Sequence, residues 1–225
     1  MLSIANITPS TVHATWLPVN TPVPSATAMR TILANLTQNG VNRVYVDVWN
    51  NGVAYFNSSA VSAVSAAAVS PSDRLRWALD AQSGLEVHAW LEYGLMACHG
   101  DVGSNAFAVA VQRRGWLIGA SGGWQWLDPS PGSSLLSSMA SEIQTRYPGV
   151  AGVQLDDHFG CPAPLAACSA AKMDNAARAV SGGGSGLRLS LSPPPAAFAL
   201  AHFNVGWPQW VEAGLFAGGA APPPY

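Results

Sequence analysis

"EVHAWLE", residues Glu86 to Glu92, alternates strictly between two kinds of side chain. On an extended chain His88, Trp90 and Glu92 share one face, and Val87, Ala89 and Leu91 share the other. The aliphatic face is made to pack on helices. The opposite face carries a histidine, an indole and, at its exit, a carboxylate. Two further segments repeat the pattern. "RVYVDVW", Arg43 to Trp49, sets Tyr45, Asp47 and Trp49 against Val44, Val46 and Val48. "VAGVQLDDHFGC", Val150 to Cys161, sets Gln154 and Asp156 against Val153 and Leu155, then adds Asp157 and His158. Three strands therefore aim polar and aromatic side chains at one common side. In a barrel that side is the interior and upper mouth.

Helical segments separate these strands. Met29, Ile32, Leu33 and Leu36 fall at i, i+3, i+4 and i+7, which predicts a helix over 26–39 ended by Gly40. "SPSDRLRWALDAQSG" predicts a second, capped by Ser70 with Pro71 in its first turn and stopped by Gly84. Leu135, Leu136, Met139 and Ile143 mark another over 133–146, and an Ala-rich stretch one more over 164–180. "VHATWLP" (12–18) reads as a first strand and "LRLSLS" (187–192) as a fifth, with a sixth expected from Leu215. Residues 93–132 read as a long loop holding a short helix near Phe107 to Arg114. Strand and helix in alternation give a parallel α/β fold. No GxGxxG follows the first strand and no GxxxxGK phosphate loop occurs, so the nucleotide-binding forms of that class lose their support.

Charged residues are only 10% of the 225, and the net charge of −2 comes without a basic block. Nucleic acid is therefore not an expected partner, nor is an anionic membrane surface. No apolar run is long enough to span a bilayer, and the N-terminus lacks the basic and apolar regions of a signal peptide. Cys98, Cys161 and Cys168 have no zinc spacing. No metal or other cofactor is expected. Cys161 and Cys168 can close a small loop or stay as buried thiols.

In parallel α/β folds the chemistry sits where strands exit. Of the twelve acids, Asp73, Asp80, Glu142 and Asp174 fall on predicted helices and read as solvated. Four stand at strand exits: Asp47, Glu92, Asp156 and Asp157. Glycoside cleavage needs two such carboxylates, one as general acid and one as nucleophile or base. Crowding in an enclosed pocket raises one pKa so that it keeps its proton. Sugars also stack on aromatic rings, and nine tryptophans is a high count. The expected catalytic groups are Asp156, Asp157 and Glu92. The expected substrate-binding groups are Asp47, Trp49, Asn50, His88, Trp90, Tyr93, Trp126, Gln154 and His158. Each also has a plainer reading: a metal pair or loop anchor for the two aspartates, a core role for His88, a packing role for the loop tryptophans.

The stretches "NRVYVDVWNNGVAYFNSSA", "GLEVHAWLEYGLMA", "WQWLDPS", "GVQLDDHFG", "LSLSPPPAAFA" and "WPQWVEAGL" resemble the glycosyl hydrolase-like family 10 domain, in the family's order from Val12 to Leu215. The resemblance implies an α/β fold of the (β/α) TIM-type barrel and hydrolysis of O-glycosidic bonds. It also implies a carbohydrate polymer, including peptidoglycan-type glycans, as partner, and a secreted or envelope setting. Asp156–Asp157 occupies the family's fourth-strand acidic motif, and Trp49–Asn50 its second-strand "VWN". Glu92 stands at the third-strand exit, where many relatives have Asn and others Glu. A full barrel takes about 250 residues, whereas here about six βα units are expected within residues 1–225. The expectation is one barrel domain lacking its C-terminal strands. A non-catalytic carbohydrate-binding domain is the alternative.

Overall fold

The computed structural model describes residues 11–81, 83–183 and 186–216. In chain order the elements are β1 (Ala14–Leu17), α1 (Ala26–Gln38), β2 (Arg43–Asp47), β3 (Trp49–Asn50), β4 (Val53–Ala54), α2 (Ser59–Val64), α3 (Arg74–Asp80) and β5 (Glu86–Leu91). Then come β6 (Met96–His99), α4 (Ala106–Arg113), β7 (Leu117–Ser121), β8 (Trp124–Leu127), α5 (Pro129–Arg146), β9 (Gly152–Asp156), α6 (Ala170–Gly183), β10 (Arg188–Ser192), α7 (Ala196–Phe203) and α8 (Trp207–Glu212).

Strands β1, β2, β5, β9 and β10 form one parallel sheet in that spatial order. Chain order and spatial order coincide, so there is no switch point of the doubly wound kind. Crossovers of one hand then put α1, α3, α5 and α6 on the same face, which is the wall of a (β/α) barrel. The helical face of the sheet is aliphatic: Val44, Val46, Ala89, Leu91, Val153 and Leu155 are fully buried. They share the core with Met29 and Leu33 of α1, Leu75 of α3, Met139 and Ile143 of α5, and Val180 of α6.

The other face carries the alternate residues in rows set by register. Trp16, Tyr45, His88 and Gly152 are successive cross-strand partners, and so are Asp47, Trp90, Gln154 and Ser190. Leu91 pairs with Leu155, so the next residues on each strand, Glu92 and Asp156, stand opposite one another at the exit. Below the first row, Glu86 accepts from Arg43 at 2.7 Å and Arg188 at 3.3 Å and meets His88 Nε2 at 3.1 Å. This ion cluster ties the amino ends of β2, β5 and β10 together.

Several boundaries differ from the expected ones. The second helix begins at Arg74, not after Ser70, because Asp73 is its cap, accepting from the Arg76 amide at 2.9 Å. Residues 93–132 are not a plain loop. The expected short helix is there as α4, but β6, β8 and β7 add an antiparallel sheet in that order. Gly122 and Gly123, at φ 63° and 83°, make the tight β7–β8 turn, a conformation that Gly-Gly supplies without strain. The helix expected from Pro164 starts at Ala170, since Cys161 and Cys168 are joined by a disulfide and close the preceding loop. Leu215 and Phe216 are not in a strand. The rest of the expected sixth strand lies outside the described residues.

Three of the four acids read as solvated are tertiary anchors. Asp73 accepts from the Tyr147 hydroxyl at 2.7 Å. Glu142 accepts from Ser58 Oγ at 2.7 Å and the Ala60 amide at 2.9 Å, fastening α2 to α5. Asp174 accepts from the Trp210 indole at 2.7 Å. Asp80, 62% exposed, meets only Arg76 among the described residues, at 3.9 Å.

Candidate active site

The exit row of the parallel sheet gathers the carboxylates. Asp156 ends β9, and both its oxygens are occupied. Oδ2 accepts from the Trp90 indole at 3.1 Å and Oδ1 from the Asp157 amide at 2.9 Å. Burial, and next the charge of Asp157, push its carboxyl up to about 6, and Glu92 adds to the same effect. Glu92 and Asp156 thus lie within one electrostatic environment. Desolvation disfavours the anion and a neighbouring anion disfavours it further, so this group can carry a proton to pH values where an exposed aspartate cannot.

Glu92 follows β5. Its Oε2 accepts from Asn50 Nδ2 at 2.6 Å, and the same amide nitrogen reaches Asp47 Oδ2 at 3.0 Å. Asp47 is wholly buried and also accepts from the Val19 amide at 3.2 Å. Burial first, then the adjoining Glu92, push Asp47 up to about 9. A carboxyl out of water beside a neighbouring acid keeps its own proton to higher pH than an exposed aspartate does.

A glycine makes the exit of β5 possible. Gly94 sits at φ +47°, and a Cβ there would meet the carbonyl carbon and oxygen of His158 at 2.6 Å and the Phe159 nitrogen at 2.7 Å. The β5 and β9 exit loops can touch only because that position is bare. The Leu95 amide donates to the His158 carbonyl at 3.0 Å, and His158 Nδ1 donates to the Glu92 carbonyl at 3.1 Å. The loop bearing Glu92 and the loop bearing Asp157–His158 are thereby locked together.

Beyond Asp157, whose side chain is half exposed, lies a cavity of about 340 Å³ bordered by Trp124, Trp126, His158, Phe198 and Phe203. Tyr93 backs it, edge-on to Trp124 at 5.5 Å. A broader hollow of about 520 Å³ by Val64, Trp116 and Leu135 carries no acid, so size does not pick out the site. Among the described residues no three His, Cys, Asp or Glu side chains converge as metal ligands.

Four of the expected substrate contacts lie buried below the mouth. Trp49 is fully buried, edge-on to Phe107 at 5.0 Å with its indole N–H toward the Gly94 carbonyl. It is core, with no ring face left for a sugar. His88 lies in the lowest interior row against Tyr45 and Glu86, far down the strand from the exit. Gln154 is buried and accepts from the Trp16 indole at 2.7 Å. Asp47 is sealed off and acts on Glu92 through Asn50. Trp90 is a support of Asp156. Asn50 and His158 lie against Glu92, while Tyr93 and Trp126 are themselves buried and back the aromatic cavity. Sequence reasoning missed the α7 contribution, Phe198 and Phe203. The signal was "PPPAAFALAHF", whose prolines start a helix just past the exit of β10. Trp124 was legible as the aromatic partner of Trp126 in "WQWL".

The glycosyl hydrolase-like 10 family matches this sequence over residues 11–175. Comparison with curated proteins gives no match. Among solved structures, the fold is similar to that of a hypothetical protein from Ruminiclostridium thermocellum ATCC 27405, with a TM-score of 0.56, 14% identity and coverage of 79% of this chain and 96% of that one. It is also similar to TtGalA, an alpha-galactosidase from Thermus thermophilus in complex with stachyose, with a TM-score of 0.58, 14% identity and coverage of 94% and 43%. A glycoside hydrolase family 20 beta-N-acetylglucosaminidase gives 0.53, 10% identity and coverage of 80% and 42%. At these identities the likeness is one of fold, and the chain spans less than half the length of the last two.

Proposed function

The chain belongs to the glycosyl hydrolase-like 10 family, and from that premise we propose that it is a glycosidase, a single barrel-type domain that cleaves O-glycosidic bonds in a polysaccharide or peptidoglycan-type glycan. Asp156 is the general acid. Its buried carboxyl, pushed up to about 6, gives its proton to the leaving glycosidic oxygen. Glu92, opposite on β5 and oriented by Asn50, is the nucleophile or the base that activates water. The Trp124, Trp126 and Phe198 cavity receives the sugar faces, with Asp157 and His158 at its edge. No metal or cofactor takes part in this scheme. The observation that carries the reading is the pairing of Glu92 and Asp156 across adjacent strand exits in one partly enclosed environment.

The Cys161–Cys168 disulfide supports an oxidising, extracytoplasmic setting, where such bonds persist. The test of function is release of reducing ends from peptidoglycan glycans and from plant or algal polysaccharides, in the presence of a chelator. Asp156→Asn and Glu92→Gln are each expected to lower the rate by about 10²- to 10⁴-fold, the usual worth of a positioned acid or base. Glycan binding with no reducing ends released, unchanged in Asp156→Asn, would instead mark a carbohydrate-binding domain.

A further inference from the structure

On the side of the acids away from the aromatic cavity lies a third hollow, of about 280 Å³, bordered by Val19, Thr21, Pro24, Tyr55, Ser72 and Arg74. These residues come from the connections that follow β1 and β2, so the hollow opens at the same end of the sheet as Glu92 and Asp156. Arg74 is 4% exposed. Of its five N–H donors, one from Nη2 goes to the Pro18 carbonyl at 3.1 Å, and Nε is buried with no partner. No carboxylate among the described residues forms an ion pair with it. Asp47 is the acid whose field it feels most. Its Oδ2 is taken up by the Val19 amide and Asn50, and it makes no ion pair with the guanidinium. A buried cation without a counter-ion is costly, and a guanidinium fork matches a planar carboxylate in two parallel hydrogen bonds.

We propose that this hollow is a subsite for the carboxylate of an acidic sugar, a uronic-acid-type unit neighbouring the bond that is cut. The proposal deepens the glycosidase reading and rests on it for the position of the bond. Asp47 forms the wall between the subsite and the scissile centre: the Val19 amide binds it from one side and Asn50, bound to Glu92, from the other. A glycan crossing the mouth would then rest its apolar ring faces on the tryptophans and hold its charged unit at Arg74.

Equilibrium binding of D-galacturonate and D-galactose, followed by NMR titration of the whole chain, tests this. The wild-type protein should bind the acid about tenfold or more tightly than the neutral sugar, the size expected of a charge-assisted hydrogen bond. Arg74→Gln should erase that preference. Arg74→Lys, which keeps the charge but loses the fork, should retain part of it and carries the test if the glutamine variant does not fold. Glu92→Gln should leave the preference in place. An equal affinity for both sugars in the wild-type protein, or a preference that survives in a folded Arg74→Gln, overturns the subsite. Binding of the acid through Arg74 with no glycan cleaved would uphold the subsite and sink the glycosidase reading. Cleavage of glycans with no role for Arg74 would do the reverse.

Discussion

Asp156 is half-buried and Asp47 wholly buried, and their surroundings give them different tasks. Asp156 keeps two donors and an opening toward Asp157, so its carboxyl rises only to about 6. If it is the proton donor, kcat/KM should fall as pH rises through about 6, because the active form is the protonated one. A pH–rate profile on any cleaved glycan checks this, and a decline confined to the region above pH 8 would remove Asp156 from the role. Asp47 has one buried oxygen with no partner and the Glu92 charge beside it. Its proton is bound more tightly folded than unfolded. The stability it contributes is full below the unfolded aspartate pKa of about 3.9 and is lost as pH rises to its folded value of about 9. Asp47→Asn, which mimics the protonated form, should therefore flatten the fall of Tm between those limits. A melting series in matched buffers reads the slope, and equal slopes in both proteins would contradict the assignment. Gly94 is the third residue whose role follows from position alone. Gly94→Ala combines a left-handed backbone with contact on the His158 carbonyl. It should cost more than about 2 kcal/mol and lower kcat through the displaced Glu92, both measurable by chemical unfolding and turnover. The glycine in "EYGL" was visible in the sequence, but nothing in its neighbours told what it would touch.

Single elements carry a further set of consequences. The loop closed by Cys161 and Cys168 packs its first cysteine in the core and leaves the second partly accessible. It lies between the exit of β9 and α6, so it frames the loop that holds His158. Closing a loop this short is worth about 2.5 kcal/mol by loop entropy. The double variant Cys161→Ala/Cys168→Ala should lose about that much, and thiol titration of the unreduced, unfolded protein should find Cys98 alone. The antiparallel sheet β6–β8–β7 shows where pattern reasoning stops. Its strands β6 and β7 pair with β8 through register shifts, which break the strict alternation that marks the parallel strands. The Gly-Gly turn was the one local sign of it. Trp124 and Trp126 come from this sheet, so the aromatic side of the mouth depended on an element that composition alone presented as loop.

Across the whole molecule, the two ends of the parallel sheet divide their labour. The exit end holds the carboxylates, the aromatic cavity and the hollow beside Arg74. The entry end holds Glu86 with Arg43, Arg188 and His88, a cluster that joins three strands and meets no cavity of the mouth. Glu86→Gln should cost about 1–2 kcal/mol, since these ion pairs are partly exposed and screened, and should leave kcat unchanged. A drop in kcat without loss of stability would show that the two ends are not independent. The sequence by itself determined the order of the five parallel strands and the helices between them, the family, and which residues share a face, because side-chain parity on a strand is fixed by its pleat whatever the neighbours are. It also put Glu92 and Asp156 at matching exits. Depth along the sheet was decided only by the tertiary structure. Trp49, His88, Gln154 and Asp47 have the parity expected of a site, yet each is covered by a neighbour from another strand or loop: Phe107, Tyr45, Trp16 and Val19. Parity is a property of one strand, whereas solvent access depends on register and on what the loops lay over it.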